Sequence, residues 1–168
     1  HKAERLGTSI GAKKLYLKNE TRNPSWSFKD RVYTVLLSKA RELGFKTVAL
    51  ASSGNAAAAA SAYSAKAKLP CYIFVQETTS TAKITQMLMH KANVIKCKGG
   101  MVEIGSVATE ACKQFGWFHI TPTKSQQPFS SEGAKTLAYE VSEQLAWKTP
   151  DNVVVPVGGG DLLGGIWK

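Results

Sequence analysis

Short apolar segments alternate with longer amphipathic segments along almost the whole chain, and this alternation constrains the fold more than any other feature. The apolar segments are rich in β-branched side chains, which is typical of parallel strands covered on both faces. A regular strand–helix alternation predicts an α/β fold with a doubly wound, mostly parallel sheet. The predicted strands are 14–20, 47–52, 71–76, 93–98, 117–121 and 152–158, and the predicted helices are 28–43, 54–67, 80–92, 101–115, 132–146 and one that begins near Asp161.

The composition excludes several classes of protein. Apolar residues make up 43% of the 168 positions and charged residues 20%, as in an ordinary globular protein, and no apolar run is long enough to span a membrane. The net charge of +10 is spread without a dense basic run, so we expect neither a nucleic-acid partner nor a membrane partner. Cysteine and histidine spacings match no metal motif, so we expect no metal site, reduced thiols in a cytoplasmic protein, and histidines at the surface or in packing. These residues are Cys71, Cys97, Cys112, His1, His90 and His119.

The segment "PVGGGDLLGG" (156–165) follows a buried-type strand and opens a helix. Ligands of doubly wound sheets bind beyond the carboxyl ends of the strands, and consecutive glycines let backbone N–H groups converge on an anion. The G-x-G-x-x-G dinucleotide pattern is excluded because Leu163 takes a glycine position, and the P-loop pattern is excluded because glycine rather than lysine follows Gly164. The segment predicts another kind of phosphate site with Asp161 as helix cap, or a tight turn that needs glycine only for its backbone.

The segment "ASSGNAAAAA" (51–60) is a second junction between a strand and a helix. The hydroxyls of Ser52 and Ser53, the amide of Asn55 and the nearby backbone N–H groups could cradle a carboxylate or a ring hydroxyl. The alternative is helix capping, with the alanines allowing the helix to lie tight against the sheet.

Lys29 occupies an unusual position, in the first turn of a predicted helix. Ser27 and Asp30 fit a capping box that starts this helix at Phe28. Partial burial and the positive end of the helix both disfavour the ammonium form of Lys29, and a neutral amine is what Schiff-base chemistry requires. The alternative is a surface lysine that reaches into water. Arg31 is interpreted as a solvated helix residue rather than an anion contact.

These three segments belong at the same end of the predicted sheet, and together they suit one cofactor. Pyridoxal phosphate has an aldehyde for an amine, a phosphate for a glycine-rich turn and a 3′-hydroxyl for an amide. Pyridoxal 5′-phosphate is therefore the predicted cofactor.

Four motifs occur in an order that resembles a known family. They are "NPSWSFKDR" (23–31), "ASSGNAAAA" (51–59), "EGAKTLAYEVSEQL" (132–145) and "VVVPVGGGDLLGG" (153–165). Together they resemble the fold type II pyridoxal-phosphate enzymes, which share the fold of the tryptophan synthase β-subunit, and most closely the threonine synthase branch. The likeness spans nearly the whole chain.

The resemblance implies a role for each motif. Lys29 would form the Schiff base and move protons at the substrate Cα, while Phe28 would pack near the cofactor ring and Asn55 would bind the 3′-oxygen. Cofactor phosphate would be held by the backbone of Gly158, Gly159, Gly160, Asp161 and Leu162. The substrate carboxylate would be held by Ser52, Ser53, Asn55 and Ala56.

The resemblance also implies a reaction, in which O-phosphohomoserine and water give threonine and phosphate. The substrate would be a small, anionic, phosphorylated amino acid, and the full-length protein would be a homodimer. The open possibilities are another β-replacement or elimination enzyme of cysteate synthase, serine/threonine dehydratase or cysteine synthase type, or an incomplete non-catalytic homologue. Ser25 and Trp26 replace the Thr-Gly of the usual pattern, which leaves the exact substrate open.

The resemblance further implies a division of the chain into three parts. Residues 1–50 would carry the Schiff-base lysine, residues 51–125 would form a smaller α/β lobe, and residues 126–168 would begin a larger, cofactor-phosphate-binding lobe. Because family chains extend well beyond the phosphate turn, we expect this second lobe to be incomplete here. A truncated chain of this kind is expected to have weak or no activity and to expose apolar sheet surface.

Overall fold

The computed structural model describes residues 1–122 and 127–168, which form a parallel sheet surrounded by helices. The strands are β1 (Val48–Ala51), β2 (Cys71–Gln76), β3 (Asn93–Cys97) and β4 (Phe118–His119). The helices are α1 (Glu4–Ser9), α2 (Lys29–Glu42), α3 (Asn55–Ala67), α4 (Thr81–Met89), α5 (Met101–Phe115), α6 (Ser130–Gln144) and α7 (Asp161–Trp167), and a 3₁₀ turn spans Glu20–Arg22.

The four strands lie in the order β3-β2-β1-β4, and every pair is parallel. The chain moves outward from β1 through β2 to β3, and then returns to the other side of β1 for β4. The direction of winding therefore reverses between β1 and β4, where sheets of this kind bind ligands beyond the carboxyl ends of the strands.

Helices cover both faces of the sheet, which confirms the predicted doubly wound α/β fold. On one face, Leu50 and Ile73 belong to a core that α2, α3 and α6 complete. On the other face, Ala49 and Phe74 pack with Ile104 of α5. Successive residues of a strand point to opposite faces, so a strand buried on both faces must be apolar at every position, as β1 is.

Two predicted strands are wrong. Neither 14–20 nor 152–158 lies beside another strand among the described residues, and the first has only a single antiparallel bridge between Tyr16 and Lys2. Apolar, β-branched composition favours a strand only where a neighbour supplies hydrogen bonds and packing. Three valines of 152–158 instead face solvent, with Val154 96% exposed, and only Val155 packs against the core. Helix α1 was not predicted, and the remaining predicted elements overlap the observed ones.

The predicted boundary between residues 125 and 126 lies outside the described residues. The division into three parts therefore stays a prediction. In the described part of the chain, none of the helices has the length and apolar character that a membrane span requires. Within the same ranges, no three His, Cys, Asp or Glu side chains are grouped to hold a metal ion, and Cys71, Cys97 and Cys112 are free thiols.

Two glycines allow helices α2, α6 and α7 to pack in backbone contact. A Cβ atom at Gly133 of α6 would lie 2.6 Å from the Cα of Val32 on α2, and one at Gly165 of α7 would lie 2.5 Å from the Cβ of Ala134. Neither distance is compatible with a real side chain, so glycine is required at both positions for steric reasons. This packing fixes the position of α2, whose first residue is Lys29.

Arg31 joins three parts of the chain through its guanidinium group. It donates to the carboxylate of Glu20 (Nε to Oε2, 2.6 Å) and to that of Glu140 (Nη1 to Oε1, 2.6 Å), and it also reaches the hydroxyl of Thr136 at 3.2 Å. Lys18 approaches the same Glu140 carboxylate at 2.5 Å. Arg31 is therefore neither a solvated residue nor a free anion contact, because two carboxylates use its donors. The cluster fastens the segment before α2 to α2 and α6.

We expect Gly133→Ala to lower the free energy of unfolding by about 1–3 kcal/mol, because the added methyl group forces α2 and α6 apart. Gly105→Ala on α5 is the matched control, since a Cβ at Gly105 meets no atom within 4 Å. Alanine is the better helix former, so the control should be unchanged or more stable by up to about 1 kcal/mol. Urea denaturation of both variants measures the difference, and equal stability of the two would contradict the packing argument.

Glu140 provides a prediction about acid stability. Hydrogen bonding from Arg31 is the main reason that the pKa of Glu140 falls from its ordinary value of 4.5 to about 2. A carboxyl group with a lowered folded-state pKa stabilises the fold above its unfolded pKa, and this contribution is lost as the pH falls from 4.5 toward 2. Glu140→Gln should therefore be less stable than the wild type at neutral pH, and the gap should narrow in acid. Urea denaturation across this pH range tests it.

The control is Glu143→Gln, an exposed carboxyl group on the same helix. The difference in free energy of unfolding between Glu143→Gln and the wild type should be the same at every pH. If the Glu140→Gln curve also runs parallel to the wild type, the ion cluster does not contribute to acid stability.

Candidate active site at the carboxyl edge of the sheet

The carboxyl ends of β1 and β4 are joined where the direction of winding reverses. The backbone N–H of Ala51, the last residue of β1, donates to the hydroxyl of Thr121 at 3.1 Å. The same hydroxyl lies 2.8 Å from Nε2 of His119, the last residue of β4. Polar side chains therefore meet at the edge where an α/β sheet binds its ligands.

His119 and Thr121 were missed as site residues by sequence reasoning. Burial lowers the pKa of His119 below its ordinary value of 6.5 and therefore favours the neutral imidazole. Its backbone carbonyl accepts a hydrogen bond from the side chain of Gln127. The sequence does contain an indication of this pair, because His119 and Thr121 are two positions apart at the end of a strand. In extended backbone, residues two apart have their side chains on the same side of the chain.

The serine–asparagine turn leaves β1 at the same edge. The N–H of Ser52 continues the sheet by donating to the carbonyl of Phe74 at 3.1 Å, and the Ser52 hydroxyl accepts from the N–H of Gly54 at 3.3 Å. Helix α3 begins at Asn55, whose side chain is exposed and has no hydrogen-bond partner among the described residues. Ser53 and Ala56 are partly exposed beside it. The exposed Asn55 amide is therefore available to a ligand.

The alanines behind this turn have a packing role. Ala57, Ala58, Ala59 and Ala60 are all buried. Tight packing of α3 against the sheet is therefore confirmed, whereas the start of α3 has no side-chain cap hydrogen bond. Ligand binding by this segment stays a prediction.

Lys29 is the first residue of α2, and its amine contacts a residue far along the chain. Its Nζ lies 3.2 Å from Oδ2 of Asp161, and the two side chains are only 17% and 14% exposed. The same Nζ lies 4.8 Å from the ring centroid of Phe28.

The hydrogen bonds around the start of α2 differ from those of the predicted capping box. The Ser27 hydroxyl accepts from the N–H of Lys29 at 3.3 Å, as a capping residue does, but α2 begins at Lys29 rather than at Phe28. The Asp30 carboxylate accepts from the N–H of Ser25 at 2.9 Å instead of from that of Ser27. Asp30 therefore fixes the preceding turn onto the start of α2.

The glycine-rich turn leads into α7. Gly160 has a φ of 86°, a left-handed conformation that favours glycine, and it immediately precedes the helix. Asp161 was predicted to cap this helix, but it makes no cap hydrogen bond and turns to Lys29 instead. The side chain of Leu162 is buried in the core, so only its backbone is available to a ligand. A Cβ built on Gly158 or Gly159 would meet no atom within 4 Å, so their backbone is uncovered.

The structure therefore brings together two of the three predicted segments, since Lys29 and the glycine-rich turn meet through Asp161. Among the described residues, no hydrogen bond or ion pair joins the serine–asparagine turn to either of them. The ligand-binding roles of all these residues stay predictions.

The sequence matches the family described as pyridoxal-phosphate dependent enzyme over residues 1–168. Threonine synthase of Methanosarcina acetivorans is 40% identical over 169 aligned positions, which cover 100% of this chain and 41% of that relative. Threonine synthase of Methanocaldococcus jannaschii is 37% identical with the same two coverages. The chain therefore spans less than half the length of these relatives.

Solved structures agree with this assignment. The processed form of threonine deaminase isoform 2 from Solanum lycopersicum superposes with a TM-score of 0.89 at 29% identity, covering 99% of this chain and 45% of that one. Maize serine racemase superposes with a TM-score of 0.88 at 24% identity, covering 99% of this chain and 49% of that one, and shows likeness of fold. The fold, the motifs and the match over the whole chain together show that this chain belongs to the fold type II pyridoxal-phosphate-dependent enzymes, whose cofactor is pyridoxal 5′-phosphate.

Proposed function

We propose that Lys29 and the glycine-rich turn bind pyridoxal 5′-phosphate in this protein. The observation that carries the proposal is the 3.2 Å contact between Lys29 Nζ and Asp161, because it joins the amine to the turn across 132 positions of sequence. The residues fit the group, because a primary amine lies next to a glycine-rich turn whose backbone at Gly158 and Gly159 is uncovered.

Each part of the site has a proposed task. The backbone N–H groups of the glycine-rich turn bind the phosphate, and the Asn55 amide binds the 3′-oxygen. Ser52 and Ser53 hold the substrate carboxylate. When bound, the cofactor withdraws electrons from the substrate Cα. Lys29 Nζ then accepts and returns the proton at Cα, and the neighbouring Asp161 carboxylate orients this amine.

We propose that the reaction is that of a lyase of threonine synthase type. O-phosphohomoserine loses its phosphate from Cγ and water adds at Cβ. The products are one threonine and one phosphate. Support comes from the two threonine synthases, at 40% and 37% identity over the whole chain. Such a substrate is small and anionic, in keeping with the net charge of +10.

A second candidate is elimination of water from a hydroxy amino acid, after which water hydrolyses the resulting imine to a 2-oxo acid and ammonia. The likeness to threonine deaminase favours it, at 29% identity and a TM-score of 0.89. Phosphate released from O-phosphohomoserine, compared with ammonia released from serine and threonine, separates the two candidates. An enzyme with a different β-replacement specificity, or a non-catalytic homologue, would release neither product in these assays. We also propose that the full-length protein is a cytoplasmic homodimer that binds no nucleic acid.

The cofactor proposal predicts a lysine-dependent visible absorbance band. Mixing pyridoxal phosphate with the complete protein that contains this sequence should produce the band of lysine-bound cofactor. Lys29→Arg should abolish it, because the guanidinium keeps a positive charge beside Asp161 but is not a primary amine. Lys29→Ala should abolish it as well.

The matched control is Lys66→Ala, which removes an exposed lysine from α3. Its spectrum should equal that of the wild type. A band that persists in Lys29→Arg, or a wild type without any band, would contradict cofactor binding by Lys29.

A further inference from the structure

The side chain of Thr121 continues the sheet at the point where the backbone ladder between β1 and β4 ends. The N–H of Ile120 donates to the carbonyl of Ala49 at 2.8 Å, and this is the last backbone hydrogen bond between the two strands in the described part of the chain. Further along, an N–H at position 122 would be needed to reach the carbonyl of Ala51, but Pro122 has none. The backbone ladder therefore stops before the end of β1.

The N–H of Ala51 takes an acceptor from a side chain instead of from the backbone. In a regular parallel ladder with this register, it would donate to the carbonyl of Ile120. That carbonyl accepts from the buried hydroxyl of Tyr33 on α2 at 3.1 Å. The Ala51 N–H donates to the hydroxyl of Thr121, also at 3.1 Å. Because Ala51 is 5% exposed, an N–H without an acceptor would be costly here, and Thr121 supplies the acceptor.

The Thr121 hydroxyl is itself held by a second partner. Its oxygen lies 2.8 Å from Nε2 of His119, two positions earlier. Since this oxygen accepts from Ala51, its own O–H is available to donate to a neutral imidazole, the form that burial favours by lowering the pKa of His119. The backbone carbonyl of His119 accepts in turn from the side chain of Gln127. The hydroxyl therefore has a defined orientation toward β1.

The serine–asparagine turn is held differently on its two sides. Successive N–H groups of a strand point to opposite neighbours, so those of Ala51 and Ser52 diverge. The N–H of Ser52 donates to the backbone carbonyl of Phe74 in β2, a contact that does not depend on any side chain. The N–H of Ala51 depends on the hydroxyl of Thr121. The position of this turn on the side of β4 is therefore set by a single side chain.

We propose that Thr121 is a positioning residue, which places the start of the serine–asparagine turn for recognition of the carboxylate of an α-amino acid. This inference rests on the proposed function, in which Ser52 and Ser53 hold that carboxylate. Without the Thr121 hydroxyl, the N–H of Ala51 must find another acceptor, and the turn that follows it shifts. Cofactor binding does not share this dependence, because Lys29 and the glycine-rich turn lie on α2 and before α7.

The experiment compares Thr121→Val, Thr121→Ser and the wild type in the complete protein that contains this sequence, loaded with pyridoxal phosphate. Threonine is titrated, and the change in the lysine-dependent absorbance band gives its dissociation constant. Thr121→Val has nearly the same volume but no acceptor, so it should weaken threonine binding by about tenfold, while the band without threonine is unchanged. Thr121→Ser keeps the hydroxyl and should stay within about threefold of the wild type.

Threonine amide tests whether the effect concerns the carboxylate. This ligand lacks the carboxylate charge, so its dissociation constants for the wild type and Thr121→Val should agree within about twofold. Tyr33→Phe is the matched control, because it removes a buried hydroxyl that bonds to the same end of β4 but not to Ala51. It should lower the midpoint of thermal unfolding and leave the threonine dissociation constant within about twofold of the wild type.

The possible failures separate the positioning role from the proposed function. Wild-type threonine binding by Thr121→Val, or an equal loss in Tyr33→Phe, would overturn the role of Thr121 and leave the proposed function intact. An equal loss of threonine and threonine amide would overturn the link to the carboxylate. A wild type that shows the band but does not respond to threonine would contradict the proposed amino-acid site together with the role of Thr121. A wild type without the band would contradict the site of Lys29 itself.

Discussion

The backbone contact between α6 and its two neighbouring helices is the constraint on which the candidate site depends. Gly133 lets the backbone of α6 touch that of α2, and Gly165 lets the backbone of α7 touch Ala134 of α6. The first residue of α2 is Lys29 and the first residue of α7 is Asp161, so these two contacts fix both ends of the ion pair. A helix separation larger by the width of one methyl group would move the amine away from the glycine-rich turn.

Charge is distributed so that each cation near the start of α2 has a defined partner. Arg31 is fully engaged by Glu20 and Glu140, while Lys29, two positions earlier, pairs with Asp161. The first pair of contacts is structural and holds the chain segment before α2 in place. The second lies at the uncovered glycine-rich turn, where an incoming anion can compete for the lysine. Neighbouring cations on one helix therefore differ in availability because their acidic partners come from different elements.

Much of the fold and part of the site follow from the sequence, and particular residues show where the prediction fails. β1 and its neighbours are predictable because a strand buried on both faces must be apolar at every position. The segment 152–158 has the same composition, yet Val154 is exposed, because composition cannot supply a neighbouring strand. Arg31 was misjudged for a related reason. Its environment is made by residues distant in sequence, above all by Glu140.

The sequence by itself determined the alternation of strands and helices, the glycine-rich turn and the position of Lys29 at the start of a helix, because these depend on local periodicity and backbone freedom. Only the tertiary structure decided which groups meet. It paired Lys29 with Asp161 rather than leaving Asp161 to cap its own helix, and it assigned the Asp30 carboxylate to Ser25. It also placed Trp26 in an outward, left-handed turn. Contacts of this kind depend on the packing of whole helices, which no single segment encodes.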